Sequence, residues 1–238
     1  MFHLRKEKER DVLSSHGDAT RFFATFLDNH DVQERFRYVD PKNEHRFDDQ
    51  VTVALACLYA LPGIPCLYYG TEQGLHGHGS DPAVREALWG GHGFNEANFF
   101  HREIQQISRV RSRRPPLRYG RFYFRPTSSD GHIFRISTSN GGVVAFSRIL
   151  GDEEIVVVAN TNVAEGISVD VIVDIHLNRP GARFEILYSN KGTTTRPTVH
   201  EIRAATVDSR NDCRVHVISV ALQPCEVQLL QDEEVRLG

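Results

Sequence analysis

Phe22-Phe23-Ala24-Thr25-Phe26-Leu27-Asp28-Asn29-His30-Asp31 is a short apolar run that breaks into a cluster of polar, titratable residues. An apolar stretch of this length reads as a buried strand over residues 21–28. Such a strand delivers acid and imidazole groups to its C-terminal end. In α/β barrels that end is where catalytic groups sit. A second unit follows with the same grammar: Gly63-Ile64-Pro65-Cys66-Leu67-Tyr68-Tyr69-Gly70-Thr71-Glu72-Gln73-Gly74. Its apolar run, read as a strand over 64–70, again ends in glycine and a carboxylate.

The stretch between the two reads as a helix from Phe47 to Leu61. Phe47, Val51, Ala54, Leu55 and Leu58 recur at helical spacing. Asp48 and Asp49 fall in its first turn, where the helix dipole favours anions, and Pro62-Gly63 ends it. A polar helix from Phe2 to Leu13 and a turn at Ser14–Asp18 are expected ahead of the first strand. A long glycine-rich loop is expected over 71–97. Ala97 to Arg113 reads as another helix, with Phe100, Ile104, Ile107 and Val110 on one face. Arg109, Arg111, Arg113 and Arg114 gather at its end as solvated cations, and Pro115-Pro116 stops it.

From Tyr119 onward the sequence alternates and is rich in Val, Ile, Phe and Thr. Strands are expected at 121–125, 131–137, 142–149, 154–160, 167–174, 183–188, 199–206, 214–220 and 225–230. Turns at Ser129-Asp130-Gly131, Asn140-Gly141-Gly142 and Asn190-Lys191-Gly192 separate them. Many short strands at this spacing describe an antiparallel β-sandwich. The fold class is therefore α/β plus all-β, with domains at 1–114 and 115–238.

The two strand units together resemble the α-amylase family of glycoside hydrolases and transglycosidases. Phe26-Leu27-Asp28-Asn29-His30-Asp31 is similar to that family's fourth sequence motif, and Ile64 to Gly74 to its eighth-strand segment. The resemblance covers roughly residues 14–112 and is architectural thereafter. It implies the C-terminal portion of a (β/α)8 TIM barrel, strands seven and eight with their helices, followed by a C-terminal β-sandwich. A full barrel needs about 250 residues and eight strands, so six units would lie elsewhere. They would be on another polypeptide or lost by truncation, unless the β-domain covers the piece.

Retaining glycoside hydrolysis uses one carboxyl group as nucleophile and a second as acid/base. The resemblance implies that Asp31 is a third carboxylate, which supports the oxocarbenium-like transition state. It makes His30 a binder of sugar hydroxyls beside it, while Asn29 fixes the turn. An anion and a neutral donor at close range suit hydroxyls around a cationic sugar. The nucleophile motif, Gly-x-Arg-x-Asp-x-x-x-His, occurs nowhere in the sequence, and only twenty residues precede the strand that would follow an acid/base Glu. Glu34, Asp40, Glu44, Asp48 and Asp49 fall in loop or helix. Asp28 reads as structural. Glu72 ends the second strand and faces the site without being the family's acid. This chain alone is therefore expected to be inactive, within an intact protein that cleaves or transfers α-glucosidic bonds. The alternative is a non-catalytic glucan-binding or regulatory fragment.

Many members carry an Arg three residues past the catalytic Asp. Here Val32-Gln33-Glu34-Arg35 puts it four past, which leaves its role open. Asp81-Pro82-Ala83-Val84-Arg85-Glu86-Ala87-Leu88-Trp89 is similar to a loop in which an Arg and a Trp shape the first sugar subsite. Arg85 and Trp89 carry over as substrate-binding residues. The implied ligand is an α-glucan or glucosyl oligosaccharide, and the implied partner is the missing N-terminal barrel half. No organic cofactor is implied. Many relatives hold Ca²⁺, with ligands in parts outside this chain.

The totals exclude other classes. The chain has 238 residues, 40% hydrophobic and 25% charged, with a net charge of −3. That balance gives no drive toward nucleic acid or an anionic membrane. No apolar run approaches the ~18 residues of a membrane span. The charged start, Met1 to Arg10, lacks the apolar core of a secretory signal, which points to the cytoplasm. Cys57, Cys66, Cys213 and Cys225 show no metal spacing and read as reduced thiols, the first two in the core. His76, His78 and His92 read as a solvated loop rather than a metal site. Phe122, Tyr123, Phe124 and Phe134 alternate as strand residues that pack a core or an interface between domains.

Overall fold

A computed structural model describes residues 22–89, 93–136, 142–192, 196–207 and 210–234. The expected helix at Phe2–Leu13, the turn at Ser14–Asp18 and His92 lie outside these residues. The chain divides into two compact units. One comprises Met1–Phe47 with Leu58–Tyr119, the other Asp48–Cys57 with Gly120–Gly238.

In the first unit, β1 (Ala24–Thr25) and β2 (Ile64–Pro65) form a two-stranded parallel sheet. Ile64 N–H donates to Phe23 O and Cys66 N–H to Thr25 O, both at 2.8 Å. The expectation of long buried strands over 21–28 and 64–70 needs correction. Each strand is two residues long, and Phe22, Phe26 and Ile64 are 62%, 49% and 56% exposed. The reason is local: each strand has a single partner among the described residues, so neither its outer edge nor its apolar faces are covered. Cys66 is likewise exposed rather than in the core. All four cysteines are free, and burial pushes the Cys57 thiol up to about 12.

Helix α1 (Asp48–Ala60) joins the two strands. It is apolar on nearly every side: Val51, Val53, Leu55, Ala56, Leu58 and Ala60 are all buried. A helix so lined is a core helix. The glycine-rich stretch contains a 3₁₀ turn at Thr71–Gln73 and a short helix α2 (Asp81–Val84). Helix α3 (Phe99–Arg113) begins at Asn98, whose Oδ1 accepts from Phe100 N–H. Phe100 and Ile107 are buried on its expected inner face. Pro115-Pro116 ends α3 but also opens α4 (Pro115–Tyr119), because proline suits the first turn of a helix.

One arginine at the end of α3 is not solvated. Arg111 is buried and donates to Tyr59 O at 2.5 Å, Gly63 O at 2.7 Å and Leu117 O at 2.7 Å. It thus places a cation on the carbonyl end of α1, where the helix dipole is negative. Burial and the neighbouring Arg118 lower its pKa from the ordinary arginine value.

The second unit is a sandwich of two five-stranded sheets, together with the first turns of α1. Its strands are β3 (Arg121–Phe124), β4 (Thr127–Ser128), β5 (Ile133–Phe134), β6 (Val143–Leu150), β7 (Glu153–Asn160), β8 (Ile167–Val173), β9 (Phe184–Ser189), β10 (Val199–Val207), β11 (Arg210–Leu222) and β12 (Val227–Asp232). The sheet orders are β4-β8-β11-β10-β5 and β3-β6-β7-β12-β9. Pairing is antiparallel except between β5 and β10. The core between the sheets is built from Val143, Ala145, Val156, Val158, Val169, Val171, Phe184, Ile218, Val220 and Leu230. Strand β7 is buried along Glu154–Asn160. A central strand covered on both faces reads as a continuous apolar run rather than an alternation, and Ile155-Val156-Val157-Val158-Ala159 does so.

A polar network crosses between the sheets. Glu154, with a fully buried side chain, accepts from Arg125 Nη2 and Ser147 Oγ at 2.5 Å each on one oxygen. Its other oxygen accepts from Asp174 N–H at 2.9 Å and Asn178 Nδ2 at 2.5 Å. A second network ties α1 to the sheet. Asn190 donates to Thr52 Oγ1 and to Cys225 O, accepts from Val227 N–H, and Lys191 pairs with Asp49.

β10 carries a bulge between Ile202 and Ala205, and Ala204 within it has φ 58°. An L residue in this left-handed region is strained, and exposed Ala204 gains nothing from packing in return. Ala204→Gly is expected to stabilise the sandwich by about 0.5–1 kcal/mol, the relief exceeding the added chain entropy. Urea unfolding of the variant beside the parent sequence checks this, and an unchanged or lower midpoint contradicts it.

Candidate functional site

Beyond β1, which ends at Thr25, the chain makes a loop between Asp28 and Phe36. The buried Asp28 closes this loop at its neck, accepting Phe36 N–H on Oδ2 at 2.8 Å. Asn29 Oδ1 accepts Asp31 N–H at 2.8 Å, an Asx turn that aims the next residues outward. His30 Nε2 then lies 3.1 Å from Asp31 Oδ1, with side chains 62% and 72% exposed. The turn therefore presents an imidazole and a carboxylate side by side to solvent. That pair can accept and donate hydrogen bonds to adjacent hydroxyls of one polar ligand.

The floor of the loop is Arg35, whose side chain is 1% exposed. Its Nη1 donates to Val84 O at 3.1 Å and its Nη2 to Tyr69 O. The guanidinium carbon stands 4.3 Å from the centre of the Tyr68 ring. Glu86 faces it, with Oε2 3.9 Å from Nε and accepting Gly77 N–H at 2.8 Å. Gly77 admits no side chain, because a Cβ there would sit 1.8 Å from Ala83 O. Two backbone bonds, Arg35 N–H to Gly77 O and Gly79 N–H to Gln33 O, fasten the same segments. Arg37 makes a similar buried contact lower down, donating to Gly74 O at 2.7 Å. Burial and Tyr69 raise the Tyr68 pKa, against the opposing effect of Arg35 and Arg85.

The sequence-derived candidates distribute as follows. His30 and Asp31 stand together, Asn29 forms their turn, and Arg85 reaches them by donating from Nη2 to His30 O at 3.3 Å. Arg85 also lies 3.4 Å from Asp81. Glu72 sits half-buried in the 3₁₀ turn, and Trp89 is 74% exposed. Among the described residues no hydrogen bond or ion pair joins either to His30, Asp31 or Arg85. The sequence pointed to Arg35 but left its role open, and Tyr68 and Glu86 were not legible as site residues. A buried arginine that binds carbonyls leaves no spacing signature. Among the described residues no group of His, Cys, Asp or Glu is arranged to hold a metal ion, and no helix is long and apolar enough to cross a membrane.

A parallel strand unit together with a ten-stranded sandwich defines a fold seen in known proteins. The chain is 31% identical to α-amylase 1 of Schwanniomyces occidentalis over 172 residues, 69% of this chain and 31% of that protein. It is 32% identical to the cyclomaltodextrin glucanotransferase of Geobacillus stearothermophilus over 145 residues, 61% of this chain and 17% of that one. Among solved structures, an α-amylase from Geobacillus thermoleovorans matches 95% of this chain and 42% of its own, with a TM-score of 0.63 and 18% identity. The γ-cyclodextrin glucanotransferase of an alkalophilic Bacillus clarkii matches 87% of this chain with a TM-score of 0.61. No protein-family model matches. The chain resembles the C-terminal region of α-amylase-family proteins in sequence and in fold. The matched stretches amount to 31% and 17% of the lengths of the two curated relatives above.

Proposed function

We propose that this chain supplies strands seven and eight, with residues 1–114, to the catalytic barrel of a retaining α-glucosidic hydrolase or transglycosidase. Residues 115–238 form its C-terminal β-domain. The observation that carries the reading is the exposed His30–Asp31 pair at the end of a parallel strand, within a region related to α-amylases and cyclomaltodextrin glucanotransferases. Asp31 stabilises the positive charge that develops on the sugar ring, and His30 binds adjacent hydroxyls. Asn29 holds their turn, while Arg85, Glu72 and Trp89 line the sugar subsites. The substrate is an α-glucan or a glucosyl oligosaccharide.

The nucleophile Asp and acid/base Glu come from the remaining strand units, on the same or another polypeptide. The uncovered apolar side chains of Phe22, Phe26 and Ile64 support such a partner. The 238-residue chain is expected to show no turnover of maltooligosaccharides, sucrose or trehalose. Turnover that disappears in Asp31→Asn would overturn the assignment of the two other carboxylates to another segment. In the assembled enzyme, Asp31→Asn is expected to lower kcat by at least ~10²-fold, as loss of one preorganised charge-stabilising group does. Glucan binding without turnover in any assembly would favour the non-catalytic glucan-binding fragment instead.

A further inference from the structure

We propose that Arg35 is the positioning residue of the Asp31 loop, and that the segment from Tyr69 to Glu86 is the template against which it sets the carboxylate. The inference rests on the reading of Asp31 as the sugar-facing carboxylate. Residues 29–35 form a short loop between the Asp28–Phe36 neck and the buried guanidinium. Every tether on the far side of that loop comes from one segment. Arg35 reaches Tyr69 O and Val84 O, its amide reaches Gly77 O, Gln33 O receives Gly79 N–H, and Arg85 reaches His30 O. The template is itself stiff. Tyr68 O–H donates to Val84 O at 3.1 Å, Glu86 binds the Gly77 amide, and Gly70 and Gly74 hold left-handed turns.

The chemistry requires an arginine. Its planar fork reaches two carbonyls at once while its face lies on Tyr68. A lysine carries the same charge as a single point and cannot hold both directions. When one carbonyl is released, residues 32–35 are free to slide, and Asp31 moves with them. Arg35 touches no substrate in this arrangement. It acts through the backbone that carries His30 and Asp31.

The test compares the full chain with Arg35→Lys by amide hydrogen exchange and by NMR titration with maltoheptaose. The expected result is local. Exchange at Asp31 and Phe36 rises at least roughly tenfold, amides of the sandwich keep their rates, and maltoheptaose binds roughly tenfold more weakly, as misplacement of a binding group does. A merely structural role would raise exchange across the whole first unit evenly, and that result overturns the proposal. Unchanged exchange at Asp31 also overturns it. If the parent chain shows no maltoheptaose-induced shifts, the sugar reading fails on its own, and loop exchange still decides the role of Arg35. Should Arg35→Lys not fold, Glu86→Gln serves instead. It keeps an acceptor for Gly77 but removes the charge facing Nε, and it is expected to raise exchange in the same loop. Unchanged loop exchange in that variant overturns the proposal.

Discussion

Glu154→Gln is expected to destabilise the sandwich by about 3–5 kcal/mol, although it changes almost no volume. The buried carboxylate accepts four hydrogen bonds, from Arg125, Ser147, Asp174 N–H and Asn178. An amide at this position puts an NH₂ against at least one pair of donors and leaves Arg125 with only the more distant Asp174 carboxylate, 4.0 Å away, as counter-charge. Buried donors facing donors lose their hydrogen bonds and keep their desolvation cost. The network also joins β6 and β7 of one sheet to the segment that follows β8 of the other, so its loss loosens the sandwich as a whole. The measurement is urea unfolding followed by exchange at core amides such as Val156 and Val171. A change below about 1 kcal/mol, the ordinary scale for surface substitutions, would mean that water or rearrangement replaces the carboxylate.

Arg111→Met is expected to cost about 3–5 kcal/mol within the first unit. Methionine fills similar space, so the loss comes from the carbonyls of Tyr59, Gly63 and Leu117, each left without its donor. The end of α1 also loses the cation that offsets its dipole. The chain has two compact units, so one unfolding curve need not report a single transition. Exchange at the last turn of α1 and along α3 is the direct readout. Both are expected to open first in the variant, and protection equal to the parent chain would contradict the assignment.

The sandwich was largely legible in the sequence. Turn chemistry and alternation marked nine strands, and each coincides with an observed one. The two-residue β4 has no sequence signal, because Thr127–Ser128 is too short to show a period. The strand units were legible as motifs but not as burial. An apolar run such as Phe22–Leu27 reads as covered because parallel strands ordinarily have neighbours on both sides. Here β1 pairs with β2 alone among the described residues. The pairing of His30 with Asp31 follows from adjacency. The roles of two arginines that the sequence did show were illegible for one shared reason. Arg35 and Arg111 bind backbone carbonyls, and a carbonyl has no residue identity that a motif can record. Glu154 is a subtler case. Its neighbour Glu153 is chemically identical, and only the alternation of β7 turns one inward.

Helix α1 also fixes where the polypeptide can be divided. Its residues Asp48–Cys57 belong to the sandwich unit, while Leu58 onward belongs to the other. The division between units therefore falls within one continuous helix, just before its last three residues, and not along a linker. A fragment excised at Gly120 would leave Asn190 without Thr52 and Lys191 without Asp49. It would remove a piece of the sandwich that lies more than sixty positions upstream in the sequence. Transplanting this β-domain onto another protein therefore means carrying an apolar helix with it.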